Sequence, residues 1–175
     1  MDLAKQKLPD TVEVSGIFYP INTGHSFWFR FFQLLKDKET VVTEFDYLYI
    51  GDPPEDRAAG FRALLAFAYE KKEIPRVEGD TGTEKLLDYD IDADLIWCAI
   101  KQCYGVDLFE GMIHWHKVRA MLSAIPGTRL NEVIGWRCYS GNDQHMLRLK
   151  RMWALPEEPD EESKKNLEEF NTLLG

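Results

Sequence analysis

The segment VEVSGIFYPI alternates around a Ser-Gly pair, with Val12 and Val14 before the turn and Ile17, Tyr19 and Ile21 recurring at period two beyond it. This alternation predicts a short β-hairpin over about residues 11–21. The period then lengthens. In NTGHSFWFRFFQLLKDK, Phe27, Phe31 and Leu34 fall on one helical stripe and Trp28, Phe32 and Leu35 on the next, a broad apolar face that Asn22 or Thr23 could cap. An aromatic face of this width reads as core.

The stretch VVTEFDYLYI is too short for its pattern to separate strand from helix. In GDPPEDRAAGFRALLAFAYEKK, Asp52 precedes two prolines and Glu55 and Asp56 follow them. Phe61, Leu64, Leu65 and Ala68 then repeat at helical spacing up to Lys71-Lys72, so a helix is predicted from near Pro54. Residues 73–83, EIPRVEGDTGT, read as a loop. Asp92 is placed to cap a helix through Tyr104 that carries Ile96, Trp97, Ile100, Cys103 and Tyr104 on one face, with Gly105 at its stop. Asp107 and Glu110 have the spacing of a capping box for a following helix with the stripe Trp115, Val118, Leu122 and Ile125, ending before Pro126-Gly127. Two more helices are expected at about 130–139 and 143–154. The pattern adds up to a mainly α fold: one helical domain over residues 1–155 with the N-terminal hairpin, then an acidic C-terminal helix or tail over 156–175. That last segment has only a thin apolar stripe of Leu167, Phe170 and Leu174.

Composition narrows what such a fold can do. At 175 residues, 45% hydrophobic and 29% charged, the chain is long enough for one core and polar enough to stay in water. No apolar run is long enough to cross a bilayer, and MDLAKQKLPD lacks the apolar centre of a signal peptide, so an intracellular protein without a membrane role is expected. Three cysteines, an odd number, argue against a disulfide framework. A net charge of -9 argues against nucleic acid as a partner of the whole surface.

Three patterns suggest chemistry. The stretch IHWHKVRAM places His114 and His116 on either side of Trp115. Residues two apart on a helix point about 200° from each other, so the pair cannot grip one ion there. His114 then reads as a packed or partner-facing residue, and His116 as pointing to solvent. In LLDYDIDADLI, Asp88, Asp90, Asp92 and Asp94 resemble the first ligands of a calcium loop. The required Gly and Glu are replaced by Ala93 and Ala99 in one register and by Leu95 and Lys101 in the other. A solvated acidic run before a helix N-terminus is the expectation. Cys98 and Cys103, five apart on one helix, neither pair nor chelate. No catalytic residue, metal site or cofactor site is predicted.

Charge is segregated along the chain. From His114 to Arg151 there are seven basic residues (Lys117, Arg119, Arg129, Arg137, Arg148, Lys150, Arg151) against Glu132 and Asp143, whereas seven acidic residues stand against two lysines from Pro156 onward. Solvated helix faces of differing sign and a functional patch both fit this pattern. Lys117, Arg119, Arg148 and Arg151 are the candidate partner-binding residues.

The segments YIGDPPEDRAAGFRALLAFAYE, LLDYDIDADLIWCAIKQCYGVDL, MIHWHKVRAMLSAIP and LNEVIGWRCYS, together with VEVSGIFYPINTG, closely resemble the bacteriophage gene product fifteen family of tailed phages and prophages of Firmicutes-type bacteria. The resemblance covers roughly residues 8–140 and is most specific around Trp115, although His116 stands where the family usually has a second aromatic. It implies a helical, non-enzymatic tail assembly chaperone that binds the tape measure protein, recruits tail tube subunits in the host cytoplasm, and is absent from the mature virion. Self-association would suit a protein that coats an extended partner. The alternative reading is a nucleic-acid-binding or other interaction protein using the basic stretch 114–151.

Overall fold

The computed structural model describes residues 7–37, 39–69 and 85–156. It begins with the hairpin, β1 (Thr11–Val14) paired antiparallel with β2 (Ile17–Pro20) in the register Val12↔Tyr19 and Val14↔Ile17. Ser15 and Gly16 both take positive φ (52° and 81°), the conformation of a two-residue turn whose twist matches that of the strands. Val12 and Val14 are buried, but the expected inward row beyond the turn is incomplete. Ile17 at the tip is exposed, Tyr19 is half-buried, and only Ile21 is fully enclosed.

Helix α1 (His25–Leu34) buries Trp28 and Phe31 completely and half-buries Phe27, Phe29, Phe32 and Leu34. Its N-cap is Gly24 with no side-chain cap, not Asn22 or Thr23. Asn22 is used elsewhere: its side-chain Nδ2 donates to Tyr47 O and its carbonyl accepts from Trp28 Nε1. Thr23 O accepts from Trp115 N and Ile113 O accepts from His25 N, so the entry to α1 is stitched by backbone bonds to the segment before Trp115. Those bonds satisfy orphan donors that a cap would otherwise meet.

The ambiguous stretch forms neither strand nor α-helix but a 3-10 helix, Val42–Leu48. Three residues per turn put Phe45 and Leu48 in line, and both are buried. Tyr49 then bridges back to Ile21. Helix α2 (Arg57–Tyr69) starts later than Pro54 because Asp56 Oδ1 accepts from Ala59 N and serves as the cap. It buries Leu64 and Ala68 as expected, and Phe67 besides. At Gly60 α2 packs close to its neighbours: a Cβ there would lie 2.7 Å from Pro54 Cγ and 2.8 Å from Tyr49 Oη. That Tyr49 hydroxyl is buried with no hydrogen-bond partner, and burial pushes its pKa up to about 12. Removing an unpaired buried hydroxyl relieves a desolvation cost, so Tyr49→Phe is expected to stabilise the fold by up to about 1–2 kcal/mol in chemical denaturation. A clear loss of stability would contradict this. The predicted Lys71-Lys72 helix end and the loop at 73–83 lie outside the described residues.

Helix α3 (Ala93–Tyr104) buries Ile96, Ala99 and Ile100 and stops at Gly105, whose left-handed φ of 65° lets its N–H bond Lys101 O. Helices α4 (Trp115–Ser123), α5 (Arg129–Arg137) and α6 (Gln144–Trp153) follow. Trp115 and Val118 are fully buried and Ile125 nearly so, while Leu122 is half-buried. Asp143 Oδ1 caps α6 by accepting from Met146 N. One cluster of buried side chains draws on the hairpin, the 3-10 helix, α1 to α4 and Leu130 of α5. Helix α6 buries no residue completely and packs on α5, with Trp153 5.8 Å from Trp136. The acidic segment past Pro156, with its stripe of Leu167, Phe170 and Leu174, lies outside the described residues.

Candidate functional site

The His-Trp-His stretch is organised differently from the sequence expectation. Asp107 and Glu110 do not cap α4, because the helix starts at Trp115 with His114 as its N-cap. His114 Nδ1 accepts from His116 N, which leaves Nε2 to donate to Pro9 O at 2.9 Å. Since His114 is extended and not helical, its ring lies 5.2 Å from that of His116, far closer than helical spacing predicts. His116 is 3% exposed and does not point to solvent. Its ring stacks on Phe67 at 4.3 Å and its Nε2 bonds Phe67 O at 3.0 Å, so an imidazole fills a place where the family resemblance puts an aromatic. In the first turn of α4, Trp115 and His116 both bond carbonyls of α2, while Lys117 stays exposed.

The aspartate run is also more buried than expected. Asp90 and Asp94 are exposed, but Asp88 and Asp92 are 3% and 2% exposed. Asp92 makes no side-chain cap. It receives a bidentate bond from Arg137 at 2.7 and 2.8 Å, plus one from Asp88 N. Arg137 also donates to Leu86 O and Trp153 O, tying the approach to α3 to the ends of α5 and α6. Burial raises the Asp88 pKa, but hydrogen bonds from Lys36, Lys85 and the N–H groups of Ile91 and Asp90 outweigh it and hold the carboxyl well below the usual range. A carboxyl lowered in the folded state contributes stability that is complete above the unfolded value near 4 and is lost as pH falls through the folded value. Lys36→Met should therefore flatten the fall in stability below about pH 4. Identical acid profiles for variant and wild type would rule out this role for the pair.

The basic candidates divide. Arg137 is spent on Asp92, and Arg129 pairs with Glu132 at 2.9 Å. Lys117 is exposed but Arg119, two residues on, is half-buried, so the two do not form one patch. Arg148 and Arg151, three apart on α6, are both exposed. Replacing Lys117 by Ala should change stability by less than about 0.5 kcal/mol, measured by thermal unfolding, and a larger loss would show it to be structural.

A cleft of about 300 Å³ opens between α1 and α3, lined by Phe29, Arg30, Tyr89, Ile96 and Trp97 among others, with Leu108 and Phe109 closing one side. The loop between α3 and α4 is held by Asp107, which accepts from Trp97 Nε1, Lys101 Nζ and Phe109 N. The Lys101 bond first, then Trp97 and Phe109, lower its pKa to about 2. Loop geometry places Phe109 85% exposed, edge-on to Trp97 at 5.8 Å. Met112, 61% exposed, bends over Gly24, where a Cβ would overlap its sulfur. Sequence reading did not find this site, because its parts come from three distant segments and each looks like ordinary core or loop. Among the described residues no group of three or more His, Cys, Asp or Glu is placed to hold a metal.

A family model described as Bacteriophage Gp15 protein matches residues 4–169. The chain belongs to that family. Gp15 membership makes it a phage structural protein, and the match includes the cleft, the hairpin and both helices with basic candidates. It also runs past residue 140, where the resemblance quoted above stops, so most of the acidic segment belongs to the Gp15 pattern. No curated protein and no solved structure matches the chain.

Proposed function

We propose that this protein is a non-enzymatic tail assembly chaperone that binds the tape measure protein and recruits tail tube subunits, acting in the host cytoplasm and absent from the finished virion. The family supports the setting, and the observation that carries a binding role is Phe109. A phenyl ring 85% exposed beside an apolar cleft forgoes about 2 kcal/mol of burial, a cost that is recovered when a partner covers it. The exposed pair Arg148 and Arg151 gives a second contact surface of opposite sign to the chain as a whole. The nucleic-acid reading loses support, since Arg137 and Arg129 of the basic stretch are occupied by carboxylates.

Co-expression with the neighbouring tape measure and tail tube proteins tests this reading. Wild type should co-purify with the tape measure protein, Phe109→Ala should co-purify less, and mass spectrometry of mature virions should not find the chain. Wild type that retains neither partner would sink the assignment.

A further inference from the structure

Four of the polar side chains lining the α1–α3 cleft already have partners. His25 accepts from Ile113 N at Nδ1 and so donates from Nε2 to Leu108 O; Gln33 Nε2 donates to Asp90 Oδ1; Ser26 Oγ donates to Met112 Sδ; and Trp97 Nε1 donates to Asp107. With these groups occupied the cleft offers a polar metabolite little to recognise. Its volume of about 300 Å³ also lies at the low end for small-molecule sites. What remains is an aromatic slot sized for one or two large apolar side chains, extended by an apolar lip of Phe109 and Met112, which are 85% and 61% exposed. The Phe109 backbone is held beside Trp97, because Asp107 accepts from Phe109 N at 3.0 Å and from Trp97 Nε1 at 2.9 Å.

Charge around the lip selects the partner. Lys36 and Lys85 are taken up by Asp88, and Lys101 by Asp107. Exposed Asp90 also meets Lys36 at 3.4 Å, so the rim charges left over are Asp94 and Glu110, exposed and next in sequence to the lining residues Ala93 and Phe109. Among the described residues the one cationic lining side chain is Arg30, whose guanidinium lies 4.8 Å from the Tyr47 ring centroid. Among the described residues the rim carries a small acidic excess, on a chain of net charge -9. A groove between two helices accommodates a third helix through anchors spaced three or four residues apart. We propose that this cleft receives an amphipathic helix of another protein, presenting a large apolar anchor flanked by lysines or arginines. The inference rests on the binding role proposed above and names the chemistry of the partner. The chain's own segment after Pro156, with seven acidic residues and two basic, has the wrong sign to be the occupant.

The test titrates full-length protein with three labelled synthetic peptides of equal length, followed by fluorescence anisotropy. One is a Leu/Lys amphipathic helix, one its Leu/Glu counterpart, and one a Ser/Lys peptide of the same charge. The Leu/Lys peptide is expected to bind at least about tenfold more tightly than either of the others. Phe109→Ala, an exposed change that should leave the circular dichroism unaltered, is expected to remove most of that advantage, and Asp94→Lys with Glu110→Lys should shift preference toward Leu/Glu. Equal binding of Ser/Lys and Leu/Lys would reduce the effect to bulk charge and overturn the proposal. Preference of wild type for Leu/Glu would overturn it too, pointing to an acidic occupant such as the chain's own C-terminal segment. Unchanged affinity in Phe109→Ala would place binding elsewhere. Because neither the tape measure protein nor the tail tube protein is used, failure here is distinguishable from failure to capture the tape measure protein.

Discussion

Trp115→Ala should unfold this protein or bring it close to unfolding. Trp115 is completely buried, with ring centroids 5.7 Å from Phe29, 5.5 Å from Phe32, 5.5 Å from Tyr89 and 6.4 Å from Trp28. Its Nε1 donates to Ala68 O of α2 at 3.0 Å and its backbone N to Thr23 O at 2.7 Å, so one residue touches three segments. Truncation of a buried Trp costs about 3 to 5 kcal/mol. The added loss of the Ala68 partner brings the total near the whole stability of a typical domain, about 5–15 kcal/mol. Trp115→Phe keeps most of the ring packing, loses the indole bond, and should cost about 1–3 kcal/mol. Urea unfolding followed by circular dichroism separates the two. A Trp115→Ala protein with an unchanged midpoint would show that the aromatic cluster does not hold the fold.

The second large effect is expected at the Asp92–Arg137 pair. Arg137→Met would leave a carboxylate 2% exposed without its counter-ion and would also strip Leu86 O and Trp153 O of their donors. Breaking a buried pair from one side costs about 3–5 kcal/mol. Removing both charges, in Asp92→Leu with Arg137→Met, should recover part but not all of that loss, because the two carbonyls remain unpaired. The double variant's unfolding free energy against the singles measures the coupling. Strictly additive losses would mean that the two side chains do not depend on each other.

Local signals explain most of the fold that was legible. The Ser15-Gly16 turn, the left-handed Gly105 stop, the Asp143 cap and the apolar spacing of α1 and α4 act within a few residues, and each element lies close to where those signals put it. The misplaced features concern residues whose roles depend on distant segments. Asp107 has the spacing of a cap but is held by Trp97 and Lys101, and Asn22 could cap α1 but binds Tyr47 O. His116 faces outward on an isolated helix but meets Phe67 in the folded chain.

By itself the sequence determined the periods, the turns and the membership: the hairpin, the succession of helices and the Gp15 family pattern. Tertiary structure alone decided which polar groups lose water. It buried Asp88, Asp92, His116 and Arg137, which pattern assigned to solvent or left as surface charge, and it exposed Phe109, which pattern could not mark. The reason is physical. Helical and strand periods arise from steric and hydrogen-bonding rules between near neighbours, whereas burial depends on which segment, 45 or more residues away, supplies the opposing partner, as Arg137 does for Asp92.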